Sequence, residues 1–469
     1  MSYQLESHIV EKLKSFFNQF DFIDKVVIFG SRAKHDANPK SDIDLCIYSL
    51  EMTAKEFTKL KIELDELPIL YKIDIVHFEK SNDELKKNIL RDGKFFFIKT
   101  VKLGNVLKYE QPTKYIVSNN IYDDNYNTPV LTAGKTFILG YTNETENIFT
   151  KTPVIIFDDF TTATKFVDFP FKVKSSAMKI LNPTKEIDIQ YIFYLMSTMK
   201  VDRDLHKRYW ISTFAKIKIP LPSLTKQKEI AKTLDKAQEL IELRKESIKK
   251  LDALSKLIFI DIFGDPYSNI FSWKIEKFDN YIDYIGDIGS NGSNAVISKN
   301  LKMLDNEDYA FMVRTTNLNK NDFSSDVKYV SKETYNFFKK SKIFGGEIIM
   351  NKIGSAGKFW IMPFLNKPVS LGLNQLVIRL KNLDIKYLFY LLSTDYGKII
   401  INSKTNGAVT KSITKGAVKD IDIMVPPFEE QKSFALKIEV IEEQKYIYEA
   451  QLTKLQANFD ALLAQSFKA

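Results

Sequence analysis

The chain has 469 residues, 44% hydrophobic and 27% charged, with a formal net charge of +9; that is enough for three domains of ordinary size with folded cores. One cysteine and four histidines exclude a disulfide scaffold and a cysteine-rich zinc site, and no apolar run approaches the ~18 residues of a membrane span. The opening MSYQLESHIV has no basic-then-apolar signal pattern, so a cytoplasmic protein with no membrane partner is expected. Residues 1–97 carry 15 Lys and Arg against 17 Asp and Glu. The basic excess therefore lies behind them, as in a nucleic-acid binder, although it is modest for its length.

The first hundred residues begin with an apolar-faced helix around Ile9–Phe20, followed by VVIFGSRAKHDANPKSDIDLCIY. Val26–Phe29 reads as a buried strand, Gly30–Ser31 as a sharp turn, and Asp42-Ile43-Asp44 as the opening of a second strand. A period of two puts Asp42 and Asp44 on one face and sends Ile43, Leu45 and Ile47 into the core. A third strand, YKIDIVHF, offers Asp74. Adjacent carboxylates repel unless a cation neutralises them, and magnesium prefers oxygen ligands. Three carboxylates on neighbouring strands suit two-metal phosphoryl or nucleotidyl transfer. His77 falls on the face opposite Asp74 and reads as a satisfied core histidine, Cys46 as a small buried thiol, and His8 as a surface residue.

This GS…DxD…D pattern resembles the minimal nucleotidyltransferases of the polymerase β-like superfamily. The resemblance implies that Gly30 and Ser31 hold the nucleotide's phosphates, with Arg32 assisting. Asp42 and Asp44 would bind magnesium and Asp74 would complete the catalytic triad. The cofactors would be Mg2+ and a nucleoside triphosphate, ATP by preference. His35 departs from the pattern, because the family commonly has glycine there.

Behind residue 97 the chain repeats itself. EIDIQYIFYLMST at Glu186–Thr198 returns as NLDIKYLFYLLST at Asn382–Thr394, offset by 196; PSLTKQKEIA from Pro222 returns as PPFEEQKSFA from Pro426, offset by 204. A weaker pair, KTVKLGN from Lys99 and KIEKFDN from Lys274, is offset by 175, so the second copy is 29 residues longer ahead of its long helix. Within each copy, strand candidates (TPVLTA, PVIIFDDF and FVDFPFKV in the first) precede a long helix. Pro220 and Pro222 block helix before Ser223, which can cap the long helix; Pro426 and Pro427 block it likewise in the second copy. Ile230, Leu234, Ala237, Ile241, Ile248, Leu251 and Ile258 keep three-four spacing, broken at Arg244. The second stripe is Phe434, Ile438, Ile441, Lys445, Leu452, Leu455 and Leu462, with Tyr448 at the Arg244 slot. Equal stripes of this length predict two helices paired as in a coiled coil.

Domain, helix, domain, helix, with IPLPSLTKQKEIA and MVPPFEEQKSFA opening the helices, LIFIDIFGD and LLAQSF closing them, and GEIIM and IGSAGK in the second domain, resembles the DNA-specificity subunit of type I restriction–modification systems. The fold expected is α+β and multidomain. A small α/β nucleotidyltransferase domain (1–97) precedes target-recognition domain 1 (98–222), spacer helix 1 (223–265), target-recognition domain 2 (266–427) and spacer helix 2 (428–469). The resemblance implies antiparallel spacer helices, pseudo-two-fold symmetry and a bipartite target on double-stranded DNA, with helix length setting the gap. It also implies two methyltransferase subunits docked on the spacer, motor–nuclease subunits in the full complex, and no chemistry or cofactor in the specificity part itself. No Walker loop is present, since GSAGK at 354–358 lacks the upstream glycine and the Ser/Thr after lysine. Lys135, Lys358 and Arg314 are candidates for DNA contact, and HKRYW at His206–Trp210 for a packed junction. The alternative is primarily a nucleotidyltransferase, AMP-transferring and toxin–antitoxin-like, which its DNA-binding part localises.

Overall fold

A computed structural model describes residues 3–134, 136–184, 186–199, 208–407 and 409–467. The chain divides into two compact units, Met1–Glu242 with Thr453–Ala469, and Leu243–Leu452.

The first unit opens with helix α1 (Ser7–Phe17), which buries Ile9, Leu13, Phe16 and Phe17. Its strands are β1 (Lys25–Phe29), β2 (Ile43–Tyr48), β3 (Ile73–His77) and β4 (Lys94–Ile98), in the sheet order β3-β2-β1-β4. β2 and β3 run parallel, whereas β1 is antiparallel to both β2 and β4. The sharp turn expected at Gly30–Ser31 continues into a one-turn helix, α2 (Gly30–Lys34). His35 ends it in the left-handed conformation, φ 66° and ψ 25°, which explains why glycine suits that position. Helices α3 (Ala54–Asp65) and α4 (Asp83–Asp92) complete the domain.

The rest of this unit holds an antiparallel sheet ordered Thr164–Val167, Val154–Asp158, Met178–Pro183, Leu107–Glu110. In a second sheet Lys172–Val173 runs parallel to Thr128–Leu131, which pairs antiparallel with Ile138–Thr142. Thr100–Lys102 pairs with Lys218–Pro220 just before the first long helix, Leu224–Phe263.

The second unit repeats this plan and adds strands to it, Lys342–Ile343 beside Val369–Leu371 and the pair Ile353–Gly354 with Lys411–Ser412. Its sheet runs Phe359–Ile361, Ile348–Asn351, Gln375–Leu380, Ile282–Gly286. Val369–Leu371 lies parallel to Ala310–Val313, which pairs with Lys328–Val330. Lys274–Lys277 pairs with Asp422–Val425 before the second long helix, Phe428–Phe467. Of the 29 extra residues, 21 fall before the repeated short helix, where helices Asn294–Asn300, Thr315–Lys320 and Lys332–Phe337 stand, and 8 fall after Thr394. Among the described residues these helices have no counterpart in the first half.

Both long helices have 40 residues, about 60 Å at 1.5 Å per residue, and they lie antiparallel within each unit. In the first unit Ile230, near the start of one, and Phe467, at the end of the other, pack against the same core. In the second unit Phe263 meets Phe434 with ring centroids 5.3 Å apart, and Lys445 pairs with Asp252 at 2.6 Å. The Arg244 that breaks the apolar stripe lies 4.1 Å from the ring of Tyr448, its own counterpart in the repeat. Among the described residues no helix is long and apolar enough to cross a membrane.

Candidate functional site

Two strands bring the acidic trio together. Asp44 and Asp74 are direct neighbours across the parallel β2–β3 pair, Asp42 immediately precedes β2, and Phe29 at the end of β1 sits opposite Asp44. Gly30 closes the pocket. Its φ is 70°, and a Cβ placed there would meet Asp44 Oδ2 at 2.3 Å. Only glycine satisfies both the left-handed backbone and the approach of the carboxylate.

Burial, then the charges of Asp74 and Asp42, raise the Asp44 carboxyl above its ordinary range. A cation is already drawn in, for Lys72 Nζ is 2.7 Å from Asp74 Oδ2 and 3.8 Å from Asp42 Oδ2. The hydrogen bond to Asp74 in turn raises the lysine. An all-oxygen donor set under mutual repulsion fits a hard divalent ion. Among the described residues no three His, Cys, Asp or Glu side chains stand preassembled as a metal cage, so a metal would have to displace Lys72 and draw the carboxylates together.

Arg32, read as a phosphate ligand, is 2% exposed. Its guanidinium donates to the carbonyls of Ser41, Asp42 and Gln4, and stacks on Tyr71 at 4.4 Å. In this arrangement it ties down the strand carrying Asp42, while Ser31 stays partly exposed. His77 is buried, with Nε2 2.9 Å from the carbonyl of Ser49 and Nδ1 without a partner, so the core position holds but satisfaction is only half complete. Burial pushes the Cys46 thiol up to about 12, an inert thiol. His8 is exposed.

The DNA-contact candidates do not converge. Lys135 lies outside the described residues, as do His206 and Lys207. Lys358 is exposed beside Gly354 and Gly357, both at positive φ, with Nζ 2.5 Å from Asn319 Oδ1. Arg314 caps helix Thr315–Lys320 and pairs with Asp326 at 3.0 Å. Tyr209 and Trp210 are buried in the core shared with the first long helix, as a packed junction requires.

Sequence reasoning missed the seams. Gln227, 2% exposed, accepts the Asp188 N–H at 3.0 Å and donates to the Pro222 carbonyl at 2.8 Å. Gln431, 1% exposed, does the same with Asp384 at 2.9 Å and Pro426 at 2.8 Å. Asp188 and Asp384 cap the short helices Ile189–Ser197 and Ile385–Ser393. From those helices Tyr191 donates to the Pro220 carbonyl at 3.0 Å and Tyr387 to that of Met424 at 2.6 Å. The repeated glutamine in two otherwise divergent motifs was the available signal. Also missed was Asp24, which accepts the Ser223 N–H at 2.9 Å while Glu51 accepts that of Thr225 at 3.1 Å. Carboxylates from the front domain thus cap the first long helix.

The polymerase beta nucleotidyltransferase family model matches residues 11–101, and the type I restriction modification DNA specificity domain matches residues 98–253 and 283–457. The second match takes in most of the chain, which belongs to the type I restriction–modification DNA-specificity family. It is 51% identical over 152 residues to the EcoR124I/EcoR124II specificity subunit of Escherichia coli, covering 30% of this chain and 38% of that protein. Over 289 residues it is 23% identical to the MjaVIII specificity subunit of Methanocaldococcus jannaschii, covering 58% and 67% respectively. The solved S subunit of a type I system from M. genitalium matches with a TM-score of 0.50 at 13% identity, over 79% of this chain and 96% of that one. At that identity the likeness establishes the fold.

Proposed function

We propose that the chain is the DNA-recognition subunit of a cytoplasmic type I restriction–modification complex, reading a bipartite target on double-stranded DNA with one recognition half per half-site. In this reading residues 98–222 and 266–427 are the two recognition domains, and 223–265 and 428–469 the spacer. Two methyltransferase subunits dock on the helices, and motor–nuclease subunits complete the assembly. The observation that carries it is the duplication: two halves that share a core strand plan, each joined to one of two long helices of 40 residues that run antiparallel within each unit. Such a frame matches the near-symmetry of paired half-sites. The test is methylation by the chain with its methyltransferase partners. One bipartite sequence should be modified, and loss of all sequence preference would sink the proposal.

Residues 1–97 are proposed as a magnesium-dependent nucleotidyltransferase using a nucleoside triphosphate, ATP by preference. Asp42, Asp44 and Asp74 would hold the metal, which when bound supplies charge neutralisation at the triphosphate. Gly30 keeps Asp44 close to the phosphate-facing turn, Ser31 faces that turn, and Arg32 fixes the Asp42 backbone. Lys72 keeps the trio compact without metal and is free to turn toward phosphate once displaced. Replacing Asp42 and Asp44 by Asn should abolish nucleotide transfer and leave DNA methylation intact. Lys72→Ala should tighten Mg2+ or Mn2+ binding severalfold by calorimetric titration; unchanged or weaker binding would remove Lys72 from this role. The Gly30–Asp44 cradle favours one second reading, a nucleotidyltransferase first, transferring AMP to a partner and localised by its DNA-binding part. Genes adjacent to this one that encode no methyltransferase would favour it.

A further inference from the structure

We infer that Gln227 and Gln431 are positioning residues that set the angle of each recognition half on its long helix, and through it the half-site gap the protein accepts. The functional part of this inference rests on the bipartite-target reading above. Each glutamine occupies the fourth position of a long helix, is almost fully buried, and uses both ends of its amide. One end accepts the backbone N–H of the residue capping the short recognition helix, and the other donates to the proline carbonyl leading into the long helix. A carboxylate lacks the donor and a hydrocarbon lacks both functions. The returning tyrosine closes the circuit in both halves, from short helix to the strand before the long helix.

Two copies that differ by 29 residues in their heads have kept the same bonds to within 0.1 Å at the glutamine. Packing alone does not demand this. The neighbouring contacts between the same elements have changed chemistry, from Gln190 and Tyr194 on Asp235 to Lys386 on Glu439 and Glu442. What persists is the group that fixes direction, since an amide bonded at both ends tolerates little rotation.

The experiment uses the full chain with spin labels at Glu307→Cys in the second recognition half and Lys437→Cys on the second long helix, both exposed positions. The native Cys46 is fully buried and stays unlabelled. The distance distribution between labels should be narrow in the parent and broaden in Gln431→Met. Tyr387→Phe, which removes one arm of the circuit and keeps the ring, should broaden it less, and it serves where the methionine variant fails to fold. An unchanged width in a folded variant overturns the positioning role. In parallel, methylation with partner subunits is compared on targets with the half-site gap lengthened or shortened by one base pair. The parent should prefer one gap and Gln431→Met should lose that preference about tenfold; uniform slowing on all gaps would overturn the link to gap length. A parent with no bipartite preference would overturn the DNA reading, while the label distances still decide the clamp.

Discussion

The two recognition halves share a core strand plan and the joints to the long helices, and differ in how they bury charge. The first half buries charge of both signs: Lys179, 3% exposed, is held by the equally buried Asp159 at 3.4 Å, and Lys172, 2% exposed, by Glu144 at 2.9 Å. The second half buries acids. Asp287, 4% exposed, lies between Lys352 at 2.6 Å and Lys415 at 3.2 Å, and Glu347 lies against Arg379. Their long helices also start differently. The first is capped by carboxylates of the front domain, the second by its own Glu429 and Glu430 in the first turn. The difference teaches that one backbone plan accepts either paired buried charges or buried acids held by more exposed cations when the seam is held constant.

The largest test breaks a buried pair in one half only. Asp159→Ala leaves Lys179 without its counter-charge and the Trp210 N–H without its acceptor at 2.8 Å. Breaking such a pair typically destabilises by about 3–5 kcal/mol. Urea unfolding followed by hydrogen exchange should place the loss in the first recognition half and spare the second. The next test addresses what the halves share. Gln227→Met and Gln431→Met each orphan a buried N–H and a buried carbonyl, so each should destabilise its own half by about 2–4 kcal/mol, and by similar amounts. A large inequality would show that the seams are not equivalent. Asp24→Ala removes a cap that only the first helix owns; a loss of about 1–2 kcal/mol is expected, seen as faster exchange around Ser223 with none around Phe428.

The smallest effect is a difference in acid sensitivity. Burial pushes the Asp287 carboxyl up, but hydrogen bonds from Lys352, Ser290 and Lys415 outweigh this and hold it at about 2. A carboxylate depressed on folding contributes stability that is present above its unfolded value, near 4, and lost as pH falls toward 2. The second half should lose stability across that window, and Asp287→Asn should flatten the profile there. A pH profile identical in parent and variant would remove Asp287 as the cause.

Much of this organisation is written in local pattern. The three-four stripes fall on partly or fully buried positions of both long helices. The period-two reading put Asp42 and Asp44 on one face and a third strand offered Asp74; the sheet register then sets Asp74 directly beside Asp44. What pattern does not carry is contact at long range. Asp24 meets Ser223 across 199 positions in sequence, and nothing near either residue announces it. The resemblance gave Arg32 an assisting role at the phosphates, and the sequence does not show the three carbonyls to which its guanidinium donates. Lys72 went unremarked because a lysine beside an aspartate is common, and only the sheet register brings it to Asp42 as well. The helix-start glutamine was visible as a repeated letter, but its meaning needed the partner N–H.

The seams have a consequence for how such a chain changes over generations. Apart from the glutamine, each joint asks its head for little: an aspartate that starts a short helix, a tyrosine three residues on, and backbone groups that any sequence supplies. That is a connector standard. A head of foreign origin that carries the Asp-Ile-x-Tyr plug, as Asp188–Tyr191 and Asp384–Tyr387 do, meets a socket that already fits. New specificities can then arise by exchanging whole cassettes, without rebuilding the frame one substitution at a time.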